Sequence, residues 1–271
     1  MAKEDILITV KTYPVISKTY TELVCTAGLR KDGSWIRLYP VQFRKLSEDK
    51  QYKKYDIIRV PVIKNTKDHR PESHRLESSE DIEIVGHLDT INNWQKRKDY
   101  LFKNKIYRSI KELISEHKKS GISLATFKPA KIIRNYAEYK DDDETWTQAE
   151  KNQFKDANAS LFDNDDSVNL TNMPKIPYSF KIEFQDIDGY ESDMTILDWE
   201  FFQLYNNLRK QQTRDEAKMG VLKQLDNFTD AKDLYFFLGT THLYDKFAPN
   251  PFTIIGIFYP DKKGTYSPPL F

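Results

Sequence analysis

The 271-residue chain has a single cysteine and no long apolar run. One cysteine, Cys25, excludes an internal disulfide and a structural zinc site built on several thiolates. The mean hydropathy of -0.70 agrees with the absence of a membrane-spanning segment. The first residues lack the basic region, apolar stretch and small-residue cleavage site of a secretory signal. We therefore expect a globular, cytoplasmic protein without a membrane partner.

Several catalytic and metal-binding motifs are also missing. The chain has no Gly-rich phosphate loop, no Gly-x-Ser-x-Gly elbow and no Lys-Ser or Lys-Thr pair of a nucleotide-triphosphate site. The Asp-rich stretch 138–173 lacks the central glycine and final glutamate of a calcium loop. The acidic residues near 183–200 fall where hairpin turns and helix N-termini favour carboxylates. The sequence thus predicts no metal site, and it identifies no cofactor.

The charge is unevenly distributed along the chain. Residues 1–140 carry a net charge of +11 and residues 141–271 carry -10, although the whole chain carries only +1. Such asymmetry hints at an anionic partner for the basic part, such as a nucleic acid. Attraction between the two halves, or simple solvation of a charged surface, explains the pattern equally well.

Short segments rich in β-branched and aromatic residues dominate the first sixty positions. Asp32-Gly33 predicts a tight hairpin between two of them. The spacing of strands and turns favours an α+β chain with a small antiparallel, OB-like N-terminal barrel. A mixed sheet-and-helix half follows it.

The same patterns predict the organisation of the rest of the chain. We expect a basic, barrel-like domain over 1–137 with a helix at 94–119, an acidic linker or surface excursion over 138–173, and an acidic α+β domain over 174–271. Asp188-Gly189 predicts a second hairpin, and helices are expected from Asp198 and over 213–228. The apolar runs 234–240 and 252–260 are expected in the interior of a sheet.

The first candidate site is the strand after the Asp32-Gly33 turn. Trp35, Arg37 and Tyr39 share one face by alternation, opposite Ile36 and Leu38. Rings beside a guanidinium offer stacking and phosphate contacts, as in small barrels that bind unpaired bases. The alternative is that the rings belong to the core, with Arg37 packing its stem along them. The other residues assigned to a nucleic-acid-binding surface are Arg44, Lys64, Arg70 and Arg75.

The second candidate is the polar loop DHRPESHR at 68–75. Arg70 and Arg75 suit bidentate phosphate binding, and His74 is a candidate acid or base. A solvated loop with local ion pairs is the alternative. His242, in the LGTTH segment that leaves an apolar run, is a second candidate catalytic residue.

Several segments resemble proteins of known sequence but unknown activity. LVCTAGLRKDGSWIRLYPVQFR, KNTKDHRPESHR, DWEFFQLY and LYFFLGTTHLYDKFAPNPFTIIGIFYP are similar to a family of uncharacterised bacterial and archaeal proteins of similar length. The GSWIR segment is also similar to a passage in proteins with two OB-like domains. The resemblance implies a barrel but no catalytic residue.

Three hypotheses about function remain open. In the first, the basic, ring-bearing face turns outward and binds single-stranded nucleic acid or a nucleotide. In the second, the chain is an enzyme, metal-dependent or not, that acts on such a ligand, with Arg70, His74 and Arg75 near His242 across a cleft. In the third, it is a protein-interaction subunit of a multi-component prokaryotic system.

Overall fold

A computed structural model describes residues 3–12, 25–39, 41, 43, 46–140, 147, 176–241, 245 and 248–262. The strands are β1 (Lys3–Lys11), β2 (Thr26–Arg30), β3 (Trp35–Leu38), β4 (Asp56–Lys64), β5 (Ser73–Leu76), β6 (Glu83–His87), β7 (Ile106–Tyr107), β8 (Leu124–Phe127), β9 (Lys131–Tyr139), β10 (Tyr178–Gln185), β11 (Glu191–Thr195), β12 (Tyr235–Thr240) and β13 (Phe252–Phe258). The α-helices are α1 (Ile91–Leu101), α2 (Ile110–Ser120), α3 (Trp199–Arg209) and α4 (Arg214–Ala231).

Five N-terminal strands form a closed, OB-like barrel in an α+β protein. Their order is β1-β2-β3-β5-β4, and β4 pairs back with β1 to close the ring. The pairings are antiparallel except for β3 with β5, where Arg37 lies opposite Ser73. Strand β6 pairs with residues 56–59 of β4, on the same edge of β4 where β5 pairs with residues 62–64. The predicted fold class is therefore confirmed.

The hairpin between β2 and β3 forms as the Asp32-Gly33 pair predicts. Gly33 adopts φ +89°, a conformation that L-residues rarely adopt, and its amide donates to the carbonyl of Arg30 at 2.9 Å. The Asp32 carboxylate accepts hydrogen bonds from the amide of Ser34 at 2.9 Å and from its hydroxyl at 2.7 Å. The turn is thus held by its own side chains.

In the described residues, two sheets and three α-helices build the C-terminal part. One sheet has the order β13-β12-β8-β7 and the other β11-β10-β9. The predicted hairpin at Gly189 is present, with φ +78°. Asp198 caps α3, and Thr213 with Glu216 forms a capping box at the start of α4, which confirms both predicted helices.

The four-stranded sheet is covered on both faces. One face packs against the outer wall of the barrel, where Trp35, Leu7 and Leu29 meet Phe237, Leu124 and Ile255. The other packs against β10 and the C-terminal helices. Every residue of β12 is buried, so the expectation that 234–240 lies inside a sheet is confirmed.

The boundaries within residues 94–139 differ from the sequence prediction. The expected helix over 94–119 is wrong: α1 and α2 are separated by β7, which pairs with β8. The patterns assign residues up to 137 to the barrel unit, whereas β7 and β8 join the sheet of β12, and β9 pairs with β10. Strand pairing with distant partners, which local periodicity does not reveal, produces this arrangement. Of the predicted linker over 138–173, residues 138 and 139 belong to β9, and residues 141–146 and 148–173 lie outside the described residues.

Two properties of the described ranges bear on function. None of their helices is both long and apolar enough to cross a membrane. Within the same ranges, no group of three His, Cys, Asp or Glu side chains is arranged to hold a metal ion.

Because the barrel and the four-stranded sheet share one apolar layer, we predict that they unfold together. Phe237→Ala removes a fully buried ring from that layer and should lower the free energy of unfolding by about 3–5 kcal/mol. Urea denaturation should still show one transition. The control Met219→Ala, at a residue 57% exposed, should change stability by less than about 0.5 kcal/mol. Two separate transitions in the wild type would contradict the prediction.

Candidate ligand-binding site

The predicted outward face of β3 is buried. Trp35 is 6% exposed and Arg37 is 2% exposed. The Trp35 ring packs edge-to-face on Phe237 with centroids 5.5 Å apart. Ile36 and Leu38 fill the barrel interior, and the opposite face of β3 meets the second sheet. The expectation of an open face is therefore wrong, because both faces of the strand are covered.

Arg37 joins the barrel to the second sheet. Its Nη2 donates to the carbonyl and hydroxyl oxygens of Ser123, both at 3.2 Å, and to the carbonyl of Thr240 at 3.4 Å. Its Nη1 lies 3.1 Å from the sulfur of Cys25. These contacts satisfy buried groups across the junction, and they leave Arg37 shielded from a ligand in solution.

Arg70 has a similar role. Its guanidinium is 1% exposed, holds both carboxylate oxygens of Asp68 at 2.7–3.1 Å and donates to the carbonyl of Thr240 at 2.9 Å. Burial by itself raises the pKa of Asp68, but hydrogen bonds from Arg70 and Ser73 lower it on balance, well below its usual range. Arg70 is therefore not positioned to clamp a phosphate.

Two of the other predicted binding residues, Lys64 and Tyr39, bond to the loop between β4 and β5 or to β5 itself. Lys64 donates to the carbonyl of Arg70 at 3.2 Å and also to that of Pro71. The amide of Tyr39 donates to the carbonyl of His74 at 2.9 Å, and the Tyr39 carbonyl accepts from Asn65. The remaining candidates differ. Arg75 is exposed on β5, and Arg44 and His242 lie outside the described residues.

The two candidate histidine segments converge in part. His69 Nε2 lies 2.5 Å from Asp245 Oδ2, so the loop does meet the turn that follows β12. His74 lies instead beside Arg30, at 3.5 Å, with its Nδ1 2.8 Å from the carbonyl of Glu72. Burial lowers the pKa of His74. His69 and Arg70 therefore make the contacts between the loop and the end of β12 with the turn after it, whereas His74 does not.

A pocket of about 550 Å³ lies where the barrel meets the second sheet. This volume is typical of sites that bind small molecules. The β2–β3 turn, the loop before β5, the segment before β7 and the start of β8 contribute to it. Its lining residues are Asp32, Gly33, Ser34, Trp35, Pro71, Glu72, Lys103, Asn104, Lys105, Tyr107, Ser120, Ile122, Leu124 and Ala125.

Close packing fixes the turn against one wall of this junction pocket. A Cβ on Gly33 would lie 2.6 Å from the Cβ of Lys103 and 3.1 Å from the amide nitrogen of Asn104. Two constraints therefore require glycine at position 33: its positive φ and the close approach of Lys103 and Asn104. The geometry holds Lys103 and Trp35 on adjacent parts of the wall.

Two lysines line the pocket with exposed side chains. Lys103 Nζ donates to the carbonyl of Lys31 at 2.9 Å. Lys105 Nζ pairs with Glu112 at 2.8 Å and lies 4.4 Å from the centre of the Tyr107 ring. Both partners are groups at the surface, and exchanging such contacts for an anionic ligand costs little.

The residues that line the pocket also include a carboxylate held in place. Glu72 accepts hydrogen bonds from the amide of Ser123 at 3.0 Å and from its hydroxyl at 2.7 Å, one on each oxygen. The buried indole nitrogen of Trp35 has no acceptor among the described residues. A polar wall, aromatic rings and amino groups therefore meet in one cavity.

Comparison with known families gives two matches along the chain, and the boundary between them lies beside the junction pocket. Residues 2–103 match a family described as Domain of unknown function (DUF8758), and residues 106–270 match Domain of unknown function (DUF8757). The chain belongs to the DUF8757 family. No curated protein matches it. The two DUF matches meet between Lys103 and Ile106, so the junction pocket lies at the boundary between the DUF8758 and DUF8757 regions.

Sequence reasoning included Trp35 and Glu72 in candidate segments but missed Lys103 and Lys105 as site residues. Both lysines fall within the predicted helix over 94–119, where the helical pattern places them away from the apolar face, at positions exposed to solvent. The break in helical pattern around Asn104 was the available signal, and it was too weak to place them beside the β2–β3 turn.

Arg70→Ala should strongly destabilise the protein, because it leaves the buried Asp68 carboxylate without its partner. We expect a loss of about 3–5 kcal/mol in the free energy of unfolding. Arg70→Lys should recover little, since lysine lacks the planar fork. Arg75→Ala, an exposed change on the same segment, is the matched control and should stay within about 0.5 kcal/mol. Equal effects of the two alanine changes in urea denaturation would refute the assignment.

The Asp68–Arg70 pair also predicts a pH dependence. Since the folded pKa of Asp68 is lowered, its stabilising effect is complete above the unfolded value of about 3.9 and is lost as pH falls further. The stability difference between wild type and Asp68→Asn should therefore shrink between about pH 5 and pH 2. Denaturation measured across that range tests this, and a constant difference would show that Asp68 does not titrate as described.

Proposed function

We propose that the protein binds a nucleotide in the junction pocket. The observation that carries the proposal is the combination in one cavity of about 550 Å³ of aromatic and apolar walls with two lysines. A nucleotide needs both: a surface for the base and cations for the phosphate. The OB-like barrel that supplies the β2–β3 turn is a fold that binds oligonucleotides in other proteins, which supports the proposal by analogy only.

The lining residues supply contacts for each part of a nucleotide. Trp35, Tyr107 and Leu124 provide the apolar and aromatic surface against which a base packs. Lys103 and Lys105 provide ammonium groups for the phosphate. Asn104 and Ser34 add polar groups for the sugar hydroxyls. The arrangement suits a ligand with a flat ring at one end and negative charge at the other.

The same geometry favours a single nucleotide over an extended strand. A strand lying along the outer face of β2 and β3 would have to displace Phe237, Leu124 and Ile255 from the shared apolar layer. Removing large buried side chains from such a layer costs several kcal/mol each. The junction pocket needs no such displacement. Our proposal is accordingly narrower than the first sequence hypothesis, which allowed either single-stranded nucleic acid or a nucleotide.

The double variant Lys103→Ala/Lys105→Ala should weaken nucleotide binding. Each charge-assisted hydrogen bond contributes about 1.5–3 kcal/mol, so the dissociation constant for GMP should rise at least about tenfold. Isothermal titration calorimetry measures this directly. Lys223→Ala, an exposed lysine change on α4 outside the pocket, is the matched control and should leave the constant unchanged.

Two results would overturn the proposal. One is the absence of GMP and AMP binding to the wild type at millimolar concentration. The other is the same dissociation constant for the double variant and the control. Thermal unfolding of each variant checks that the changes, all three at exposed side chains, leave the fold intact.

A further inference from the structure

Arg97 of α1 is a buried cation that has no carboxylate partner among the described residues. The residue is only 7% exposed, and its Nε donates to the carbonyl of Leu88 at 2.8 Å. Neither Nη atom has an acceptor in the part of the chain that the structure describes, and neither is completely enclosed. Burial lowers the pKa of Arg97. Because buried charges in proteins are normally paired, this guanidinium has two donors left for a ligand.

Two aromatic rings fix the orientation of the guanidinium. Its central carbon lies 3.6 Å from the centre of the Tyr55 ring and 4.6 Å from the centre of the Trp94 ring. The Trp94 ring is itself held edge-to-face by Phe258 at 5.1 Å and by Tyr259 at 4.8 Å. Arginine commonly stacks on aromatic rings while the edge of its planar fork holds an oxyanion. The rings therefore position the Nη atoms without using them.

The backbone is strained at the residues that supply these two rings. Within the described ranges, the residues other than glycine with positive φ are Tyr55 at 68°, Asn92 at 52°, Asn93 at 53° and Trp94 at 62°. Bulky residues rarely adopt this conformation. The side chain of Asn93 holds the turn, because it exchanges two hydrogen bonds with the backbone of Asp261, at 2.7 and 3.0 Å. Strain concentrated in this way is typical of ligand sites.

The two carboxylates that act electrostatically on Arg97 already have cationic partners. Glu200 pairs with Lys54 at 2.9 Å, and Asp89 lies 3.6 Å from Lys96. Both carboxylates raise the pKa of Arg97, but burial outweighs them. The positive charge of the guanidinium is therefore not neutralised by its surroundings.

We propose that Arg97 binds an oxyanion, the phosphate or carboxylate group of a ligand, through its two Nη atoms. The guanidinium fork matches both groups in a bidentate arrangement. Arg97 is not among the residues that line the junction pocket, so this is a second site. The proposal does not depend on nucleotide binding in the junction pocket.

Isothermal titration calorimetry with inorganic phosphate and with acetate, at constant ionic strength in chloride, tests this site. The protein used is Lys103→Ala/Lys105→Ala, which lacks the amino groups of the junction pocket. We expect saturable binding of at least one probe, and the tighter probe identifies the group that the site prefers. Adding Arg97→Lys, which keeps the charge but loses the planar fork, should weaken that binding at least about tenfold.

The matched control is Arg59→Lys in the same background, at an exposed arginine that pairs with Asp5 on the barrel. It should leave the dissociation constant unchanged. Binding of neither probe, or equal binding with and without Arg97→Lys, would overturn the proposal. Neither result bears on GMP binding to the wild type, so the two proposals fail separately.

A crystal structure of the wild type soaked with the tighter probe gives a test that does not depend on the folding of any variant. Oxygen atoms of the probe should lie within about 3.2 Å of both Nη atoms of Arg97. Water alone at these two atoms, or a probe bound only elsewhere, would overturn the assignment.

Discussion

Strand β3 is buried on both faces, and the rest of the structure depends on this constraint. One face closes the barrel core through Ile36 and Leu38, and the other lies against β12 and β8 through Trp35 and Arg37. The barrel thus has no open wall along β3. The space left at the edge of the covered wall, between the β2–β3 turn and the segment 103–107, is the junction pocket. The packing of the second sheet against β3 therefore also forms the junction pocket.

Polar contacts reinforce the apolar junction at two further places. Arg37 and Arg70 both donate to the carbonyl of Thr240 at the end of β12. Elsewhere, the buried Lys54 contacts Asp198 at 2.8 Å and Glu200 at 2.9 Å. Burial by itself lowers the pKa of Lys54, but these carboxylates raise it well above its ordinary value. Breaking such a buried pair is costly, so it favours one relative placement of the two parts.

The same ion pair bears on the uneven charge of the chain. Lys54 comes from the basic N-terminal half, and both of its partners come from the acidic C-terminal half. Attraction between the halves, one of the explanations that the sequence leaves open, therefore operates at this contact. The lysines of the pocket, Lys103 and Lys105, also come from the basic half, where their side chains remain exposed.

Local patterns predicted much of the fold and little of the site. Both Asp-Gly hairpins, the caps of α3 and α4 and the buried run of β12 follow from short-range chemistry, and all are present. The sequence patterns do not predict strand β5, because its residues SHRL are not typical of strands. The segment is extended because it pairs with β3 and β4.

The position of Trp35 shows why the site was harder to predict. Alternation correctly separates Trp35 and Arg37 from Ile36 and Leu38, but it does not reveal what covers each face. That depends on β12, about 200 residues further along the chain. The pocket combines side chains from four separate segments, and only the folded chain brings them together.

A crystal structure of the protein grown with GMP tests the central claim most directly. The account predicts the nucleotide in the junction pocket, with its phosphate near Lys103 and Lys105, its base beside Trp35 and the barrel still covered by β12. A nucleotide bound elsewhere on the chain, or a barrel face uncovered to receive it, would contradict the account.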